Sequence, residues 1–390
     1  MIARSLLFFL LLIVIPDGLL YWRYFCRPNR AGGQEPDWSG LCWWKKLLWW
    51  VPGLLMVVYT IELARQPDFM PANPNWLYLY LFLLGLVIIP KALFAICSFF
   101  GRWGRRVGWV LIALDLYILF YGSFVGFQKL EVKQVEIAFD DLPQGFDGYR
   151  IALFSDAHVG TYTGSRQAIL QRAVDSINAQ KADAIVFAGD LQNMRPDEII
   201  PHMEVLKQLK AKDGVFSVQG NHDYAMYTGD NVYVKAENVM RNIGVQQELG
   251  WDILSNNRRT LRRGDDTIIL AGLANEGKDG FPQEANISHA LWGVKRDRFV
   301  VMIEHDPYAW RKMILPHSHA QLTLSGHTHA MQFELFGWSP MGLTTPEYDG
   351  LYELGHRYLY VSKGLGGLIP FRFGATGEIV VITLRRNNQS

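Results

Sequence analysis

Gly220-Asn221-His222-Asp223 is the stretch around which the second part of the sequence is organised. It follows an apolar segment, Val215 to Val218, whose composition predicts a β-strand. The stretch places an amide, an imidazole and a carboxylate on one turn after that strand. An amide oxygen is a good ligand for a divalent metal, and the neighbouring imidazole is suited to proton transfer. We therefore expect this turn to form part of a metal-dependent site.

Four other apolar segments also end in residues of the kinds that bind metals. They are Ile151 to Phe154 before Asp156-Ala157-His158, Ala184 to Ala188 before Gly189-Asp190, Phe299 to Ile303 before His305, and Leu322 to Leu324 before Gly326-His327-Thr328-His329. Loops after the carboxyl ends of strands meet at the active-site crevice of an open sheet. The five segments together predict one site.

In this order, Asp-x-His, Gly-Asp, Gly-Asn-His-Asp, a single His and Gly-His-x-His resemble the calcineurin-like metallophosphoesterase family. The resemblance covers roughly Asp140 to Arg385. Residues 142–151, Leu-Pro-x-Gly-Phe-Asp-Gly-Tyr-Arg-Ile, are similar to the family's membrane-associated branch of transmembrane proteins with a metallophosphoesterase domain. The resemblance implies a calcineurin-like α/β sandwich, in which two mixed sheets are flanked by helices, and a hydrolase of phosphoric ester bonds.

The chemistry of such a hydrolase calls for two divalent cations. Two cations about 3.5 to 4 Å apart neutralise the ester and generate the attacking hydroxide near neutral pH. Asp190 is suited to bridge them, because a carboxylate has two oxygens and Gly189 lets the backbone come close. The resemblance implies three further ligands for each cation: Asp156, His158 and His329 for the first, and Asn221, His305 and His327 for the second. Nitrogen and oxygen ligands without sulfur admit manganese, iron or zinc.

His222 is the histidine of this set that the resemblance leaves outside the ligands. It implies that His222 protonates or stabilises the leaving oxygen, and that Asp223 orients the His222 ring and raises its pKa. Asn193 and Arg195 follow the Gly-Asp motif closely enough to reach a substrate phosphate. A solvated loop is the more ordinary interpretation of those two residues, because exposed arginine is common.

The N-terminal part of the sequence has a different composition, rich in Leu, Trp, Phe and Tyr, and accounts for much of the aromatic fraction of 13%. Four of its apolar segments are long enough to cross a membrane, which takes about 20 residues: Ile2 to Tyr24, Leu47 to Leu63, Trp76 to Phe100 and Val107 to Phe124. We therefore predict four transmembrane helices in residues 1–127 and a catalytic domain in residues 128–390. The protein is expected to be an integral, multi-pass protein of the plasma or inner membrane.

The distribution of positive charge predicts the orientation in the membrane. The first and third loops are cationic, with Arg23, Arg27, Arg30, Lys45 and Lys46 in the first and Arg102, Arg105 and Arg106 in the third. Cationic loops stay on the cytoplasmic side, so both termini and the catalytic domain are predicted on the extracytoplasmic side. Arg4 argues in the opposite direction.

Charge and cysteine content exclude several classes of function. The net charge of +1 gives no indication of a nucleic-acid partner. All three cysteines, Cys26, Cys42 and Cys97, lie in or beside the apolar part. Thiolate chemistry, zinc-thiolate sites and internal disulfides are therefore excluded from the catalytic part.

The sequence thus predicts a membrane-anchored, dinuclear phosphoesterase that hydrolyses phosphodiesters or phosphomonoesters, lipid-linked substrates among them. One alternative, by resemblance, is hydrolysis of the pyrophosphate bond of a UDP-linked diacylglucosamine in lipid A synthesis, although that substrate is made in the cytoplasm. Others are a non-catalytic membrane sensor or binding protein, and a transporter that uses the intramembrane acids Asp17 or Asp115.

The substrate preference of the membrane-associated branch cannot be transferred to this sequence. Where that branch has Gly-Gly before a glutamine, this sequence has Ala330 and Met331 before Gln332. Oligomeric state does not follow from the sequence.

Overall fold

A computed structural model describes residues 2–26 and 38–387. The chain divides into two compact units, Met1–Ser123 and Phe124–Ser390. The functional division into residues 1–127 and 128–390 stays a prediction. Arg27 and Arg30, two of the cationic residues from which the membrane orientation is predicted, lie outside the described residues.

The first unit is helical. Its helices are α1 (Leu6–Tyr21), α2 (Trp43–Leu48), α3 (Trp50–Ala64), α4 (Pro74–Leu83), α5 (Ile89–Ser98) and α6 (Gly101–Phe124), with π-helical turns at Trp22–Cys26 and Leu84–Ile88. In the described part of the chain they give four continuous helical stretches that are long and apolar enough to cross a membrane: Leu6–Cys26, Trp43–Ala64, Pro74–Ser98 and Gly101–Gln128. Large apolar side chains on them, such as Phe8, Leu54 and Val110, are more than half exposed. Such outward-facing apolar surface fits a hydrocarbon environment, and the prediction of four apolar helices is confirmed.

Asp17 has a structural role inside this unit. It is buried, and its carboxylate lies 2.7 Å from Nζ of Lys91. Trp49 Nε1 donates a hydrogen bond to the Asp17 carbonyl, and Lys91 Nζ lies 4.8 Å from the centroid of the Trp49 ring. These contacts join three helices and account for the intramembrane acid without an ion path.

The second unit contains two six-stranded sheets. The strands are β1 (Leu130–Phe139), β2 (Arg150–Phe154), β3 (Ala184–Phe187), β4 (Val215–Ser217), β5 (Asp252–Ile253), β6 (Asn257–Arg263), β7 (Asp266–Gly272), β8 (Val300–Ile303), β9 (Leu322–Ser325), β10 (Gly350–Leu354), β11 (Arg357–Val361) and β12 (Gly377–Arg386). The first sheet has the order β1-β12-β2-β3-β4-β5 and the second β10-β11-β9-β8-β7-β6. Both mix parallel and antiparallel pairs, so the predicted sandwich of mixed sheets is confirmed.

The sheet membership of two strands differs from our expectation. The sequence predicts a second sheet from the later strands near Ile253, Ile268 to Ala271, Tyr358 to Val361 and Ile379 to Leu384. The strands near Ile253 and at Ile379 to Leu384 belong to the first sheet instead. β12 pairs in parallel with β1 and antiparallel with β2. Pairing between strands far apart in sequence leaves no local periodicity, which explains why the sequence pattern did not reveal it.

Alternation along the strands explains the layered core. In β2, Ile151 and Leu153 face the core between the two sheets, where they join Leu270 of β7 and Leu324 of β9. Ala152 and Phe154 point to the other face and pack with the helix that follows β2. Successive side chains of a strand point to opposite faces, so one strand contributes to two cores.

Within the described residues, five α-helices complete the unit: α7 (Gln167–Ala179), α8 (Met203–Leu206), α9 (Val232–Glu248), α10 (Ile287–Ala290) and α11 (Leu315–His317), the last preceded by a π-helical turn at Trp310–Ile314. The apolar stripe from Ile169 to Ile177 predicts α7, and its residues are buried as expected. The stripe from Ile199 to Leu209 predicts one helix but forms 3-10 turns and the short α8, because Pro201 interrupts it. α9 continues through Gly244, where the sequence predicts its end.

Candidate metal centre

The predicted ligands converge at the carboxyl ends of β2, β3, β4, β8 and β9. Three groups of side chains each have ligand atoms within 4.8 Å of one another: Asp156, His158 and His329; His158, Asp190 and His222; and Asp190, His305 and His327. The groups share His158 and Asp190 and therefore form one cluster. Asn221 joins it, since its Oδ1 lies 3.1 Å from His305 Nε2 and 2.8 Å from His327 Nδ1.

Asp190 lies in the middle of this cluster. Its Oδ2 is 3.2 Å from Nε2 of His305 and 3.7 Å from Nε2 of His158. Its Oδ1 accepts a hydrogen bond of 2.8 Å from the backbone N–H of His222. This carboxylate oxygen lies between the imidazole nitrogens of His158 and His305, where a divalent metal could bind.

Gly189 allows this close approach. It has a φ of +91°, and a Cβ there would lie 2.6 Å from both the Gly220 nitrogen and His305 Nδ1. His305 Nδ1 lies 2.7 Å from the carbonyl oxygen of Ala188, which leaves Nε2 directed at the cluster. A hydrogen bond on one ring nitrogen commonly orients the other toward a metal.

The burial of the cluster and its ring nitrogens without hydrogen-bond partners among the described residues are typical of a site for divalent cations. Asp156, His158, Asp190 and His305 are almost completely buried. Neither ring nitrogen of His158, nor Nδ1 of His329, makes a hydrogen bond with any residue that the structure describes. Buried polar atoms are nearly always satisfied, so these nitrogens indicate a ligand. Buried charges are generally paired, hydrogen-bonded or bound to a metal, and a cation beside Asp156 and Asp190 would meet that requirement.

The electrostatics of the cluster point the same way. Burial, with the neighbouring His222, lowers the pKa of His158 to about 3, so its ring is neutral and has a lone pair for a metal. Burial would lower the pKa of His305, but the Asp190 carboxylate raises it to about 10. Burial would raise the pKa of Asp190, yet His305 and His222 hold it well below its usual value. Asp190 therefore attracts positive charge into the cluster.

Asp223 does not have the expected role. Its carboxylate accepts hydrogen bonds from the backbone N–H groups of four residues and from Asn242 Nδ2; the backbone donors are Asp190, Leu191, Gln192 and Gly220. The expectation that it orients the His222 ring is wrong, because converging amides of the Gly-Asp loop attract the carboxylate instead. Burial also lowers the pKa of His222 rather than raising it. Asp223 therefore shapes the loop that presents Asp190.

Asn193 is a residue whose role the sequence did not reveal. It is buried, and its carbonyl oxygen lies 2.6 Å from His222 Nδ1. The expectation of a solvated loop is therefore wrong for Asn193. Arg195 forms an ion pair of 2.7 Å with Asp230. The position of Asn193, three residues after Asp190, is the only sequence signal that places it near the site.

Arg372 is a further residue near the site whose role the sequence did not reveal. Its buried guanidinium donates hydrogen bonds to backbone carbonyl oxygens of the glycine-rich loop, namely those of Lys363, Gly364, Gly366 and Ala375. The same loop contacts the cluster, because the Gly366 N–H donates to the Asp156 carbonyl at 2.9 Å. Arg372 therefore fixes the loop whose backbone is hydrogen-bonded to Asp156. An arginine inside an apolar, glycine-rich segment was the available signal.

The profile of the family described as calcineurin-like phosphoesterase matches residues 149–331, which contain the whole cluster. Over 280 residues the chain is 32% identical to YkuE of Bacillus subtilis, which is named an uncharacterized metallophosphoesterase. That match covers 69% of this chain and 90% of YkuE. The chain belongs to the calcineurin-like metallophosphoesterase family. The metallophosphoesterase is accordingly a metal-dependent hydrolase of phosphoric ester bonds, and the resemblance found in the sequence is confirmed.

Two relatives of this metallophosphoesterase are named transmembrane protein with metallophosphoesterase domain. The one from Danio rerio is 31% identical over 275 residues, covering 68% of this chain and 60% of its own length. The one from Bos taurus is 29% identical over 270 residues, covering 66% of this chain and 58% of its own length. The chain thus matches about three fifths of these relatives. Their names and the four apolar helices agree with integration into a membrane.

Proposed function

We propose that the cluster holds two divalent cations and that the protein hydrolyses phosphodiester or phosphomonoester bonds at or near the membrane. The first cation would be held by Asp156, His158, His329 and Asp190, and the second by Asn221, His305, His327 and Asp190. The observation that carries this proposal is the position of the Asp190 carboxylate between His158 and His305. The mixed nitrogen and oxygen donors fit manganese, iron or zinc.

Two divalent cations, when bound, screen the negative charge of the ester and lower the pKa of water to near neutrality. The protein's own contribution to proton transfer would come from His222. Its Nδ1 edge is held by the Asn193 carbonyl, which leaves Nε2 as the ring atom available to the leaving oxygen. Asp223 assists indirectly, since it fixes the backbone of Asp190.

Replacement of Asp190 tests the proposed centre. We expect Asp190→Asn to lose at least about 100-fold of the manganese-dependent hydrolysis of bis-p-nitrophenyl phosphate, because a shared ligand affects both cations. Asp297→Asn, which changes a largely exposed acid, is the matched control and should keep full activity. Metal content shows whether the centre is lost, and thermal unfolding of both variants shows whether the fold is kept. Full turnover by Asp190→Asn would refute the proposal.

We further propose that the substrates are lipid-linked. Support comes from the segment that follows His329, where an isolated bridge joins Leu335 to Trp338 and Phe336 at the tip is 99% exposed. Trp338 and Leu343 are also more than half exposed. Apolar side chains gathered on a surface mark contact with another apolar partner. An acyl chain near the reacting phosphate is such a partner.

Paired substrates test this preference: methyl and octyl p-nitrophenyl phosphate, which differ only in alkyl length. We expect kcat/KM to be about tenfold higher for the octyl ester, since each buried CH₂ contributes up to about 0.8 kcal/mol. Phe336→Ser with Trp338→Ser should bring the ratio toward one. Trp292→Ser, which removes another exposed tryptophan, should leave it unchanged. Equal rates for both esters in the unmodified protein would exclude an acyl site.

We also propose that the catalytic domain lies on the extracytoplasmic side of the plasma or inner membrane. The support is the arrangement of the cationic loops. Tyr24 at the end of the first helical stretch and Trp38 in the loop after it line the same cavity as Arg102 and Arg106 at the start of α6, beside the third loop. Both loops therefore lie at one end of the helices, as the positive-inside rule requires of loops on the cytoplasmic side.

A further inference from the structure

The helical unit contains a cavity of about 640 Å³. Leu20 of α1, Trp49 before α3, Phe94 of α5 and Ile112 of α6 line it together, so the cavity lies between helices. Its volume is within the roughly 300–1,000 Å³ of typical small-molecule sites. The proposed hydrolysis makes no use of it.

One face of α6 lines this cavity, and its side chains change from cationic to apolar along the helix. Arg102, Arg105, Arg106, Trp109 and Ile112 all line it. Their spacing of mostly three and four residues puts them on the same side of the helix. Arg102 and Ile112 are about 15 Å apart along the axis at the rise of an α-helix. The wall therefore changes from cationic to apolar over a distance suited to an amphiphile.

The described residues that line the cavity have an excess of positive charge. No acidic side chain is among its lining residues in the described part of the chain. Lys91, which also lines it, is neutralised by Asp17. Arg102 and Arg106 lie 5.7 and 4.7 Å from the Trp103 ring centroid, and neither forms an ion pair with a described carboxylate. Among the residues that the structure describes, no carboxylate neutralises these two guanidinium groups, so they are suited to bind an anion.

We propose that this cavity binds an anionic phospholipid, with the phosphate at the arginines of α6 and an acyl chain along Trp109 and Ile112. Guanidinium groups match phosphate oxygens in a bidentate geometry. Basic pockets between transmembrane helices are suited to anionic head groups, and tryptophan is enriched at the depth of the head groups. Arginines that serve only to orient a protein in the membrane do not need to line a cavity. The arginines of α6 do line one, together with the apolar side chains of Trp109 and Ile112. The proposal is independent of the hydrolytic activity.

Lipid binding to the purified, delipidated full chain in detergent tests the site, with bound lipid counted by native mass spectrometry. The probes are dioctanoyl phosphatidylglycerol, dioctanoyl phosphatidylcholine and inorganic phosphate. The pocket variant is Arg102→Gln with Arg106→Gln. The matched control is Lys45→Gln with Lys46→Gln, which removes the same charge from α2 outside the cavity lining. Trp109→Ser tests the apolar wall at an exposed side chain without changing charge.

We expect the unmodified protein to bind phosphatidylglycerol at least about tenfold more tightly than phosphatidylcholine, and inorganic phosphate far more weakly than either lipid. The pocket variant should lose about tenfold in affinity for phosphatidylglycerol, Trp109→Ser about threefold, and the lysine control less than twofold. Equal binding of the two lipids would overturn the proposal. So would equal losses in the arginine and lysine variants, which would indicate general surface charge. Phosphate binding as tight as that of phosphatidylglycerol would indicate a free-anion site and overturn the assignment to a lipid.

Discussion

At the scale of single residues, the proposed metal ligands share an unusual backbone conformation. Asp156, His158, Asp190, His327 and His329 all have φ between 45° and 75°. Each such non-glycine residue costs about 1 kcal/mol or more. Hydrogen bonds between the loops hold these conformations, for example from the Asp156 N–H to the Gly189 carbonyl at 2.8 Å. Strain concentrated at one place is typical of a functional site, and here it turns the side chains toward a common centre.

His222 is the residue at which proton transfer can be tested apart from metal binding. We expect His222→Ala to keep the metal content of the unmodified protein and to lose about 10²- to 10⁴-fold in kcat. The loss should be greater for an alkyl ester than for a p-nitrophenyl ester, because the poorer leaving group depends more on a proton. Metal analysis and kcat for both esters measure this. His356→Ala, at a largely exposed histidine, is the control; equal losses for the two esters would argue against a role at the leaving oxygen.

At the scale of elements, the glycine-rich loop after β11 supports the strand end that carries Asp156. Leu365 N–H donates to the Ser155 carbonyl at 2.8 Å, and Gly366 N–H donates to the Asp156 carbonyl at 2.9 Å. Arg372 holds the loop through its carbonyls. The buried guanidinium of Arg372 is stable only while its N–H groups keep their hydrogen bonds to these carbonyl oxygens. The loop therefore has little freedom to move away from Asp156.

Two glycines with nearly the same φ provide a matched test of this support. Gly364 has φ +76° and a Cβ there would lie 2.7 Å from the Asp156 Cβ, whereas Gly293 has φ +74° with open space around it. We expect Gly293→Ala to lose about 1 kcal/mol of stability through backbone strain and to keep its activity. Gly364→Ala has the same strain and also displaces Asp156, so kcat/KM should fall at least about tenfold. Thermal unfolding and kinetics of both variants measure this. Similar kinetics for the two would show that the loop does not position Asp156.

At the scale of the whole molecule, the side of the membrane on which the catalytic domain lies decides which substrates are available to it. The proposed outward orientation follows from the cationic first and third loops. A UDP-linked substrate made in the cytoplasm would not reach an outward-facing site. The orientation therefore separates general membrane phosphoester hydrolysis from the lipid A alternative.

Cysteine labelling tests this orientation, because the described catalytic unit contains no cysteine and Cys42 lies exposed in the first loop. A membrane-impermeant maleimide should label Ser288→Cys, in a cysteine-free background, while the membrane is intact. A variant that keeps only Cys42 should be labelled only after permeabilisation. The opposite pattern would place the catalytic domain in the cytoplasm and make a nucleotide-linked substrate accessible.

The sequence alone determined the family, the four apolar helices and the set of residues that meet at the cluster. These features are local: a strand ending in Asp156 or His305, or an apolar stretch of sufficient length, is visible in a short window. The tertiary structure decided the sheet to which β5 and β12 belong, the role of Asp223, and the positions of Asn193 and Arg372. Each depends on partners distant in sequence, since a buried carboxylate or guanidinium binds whichever donors or acceptors the folded chain brings to it, and no periodicity in the sequence records that choice.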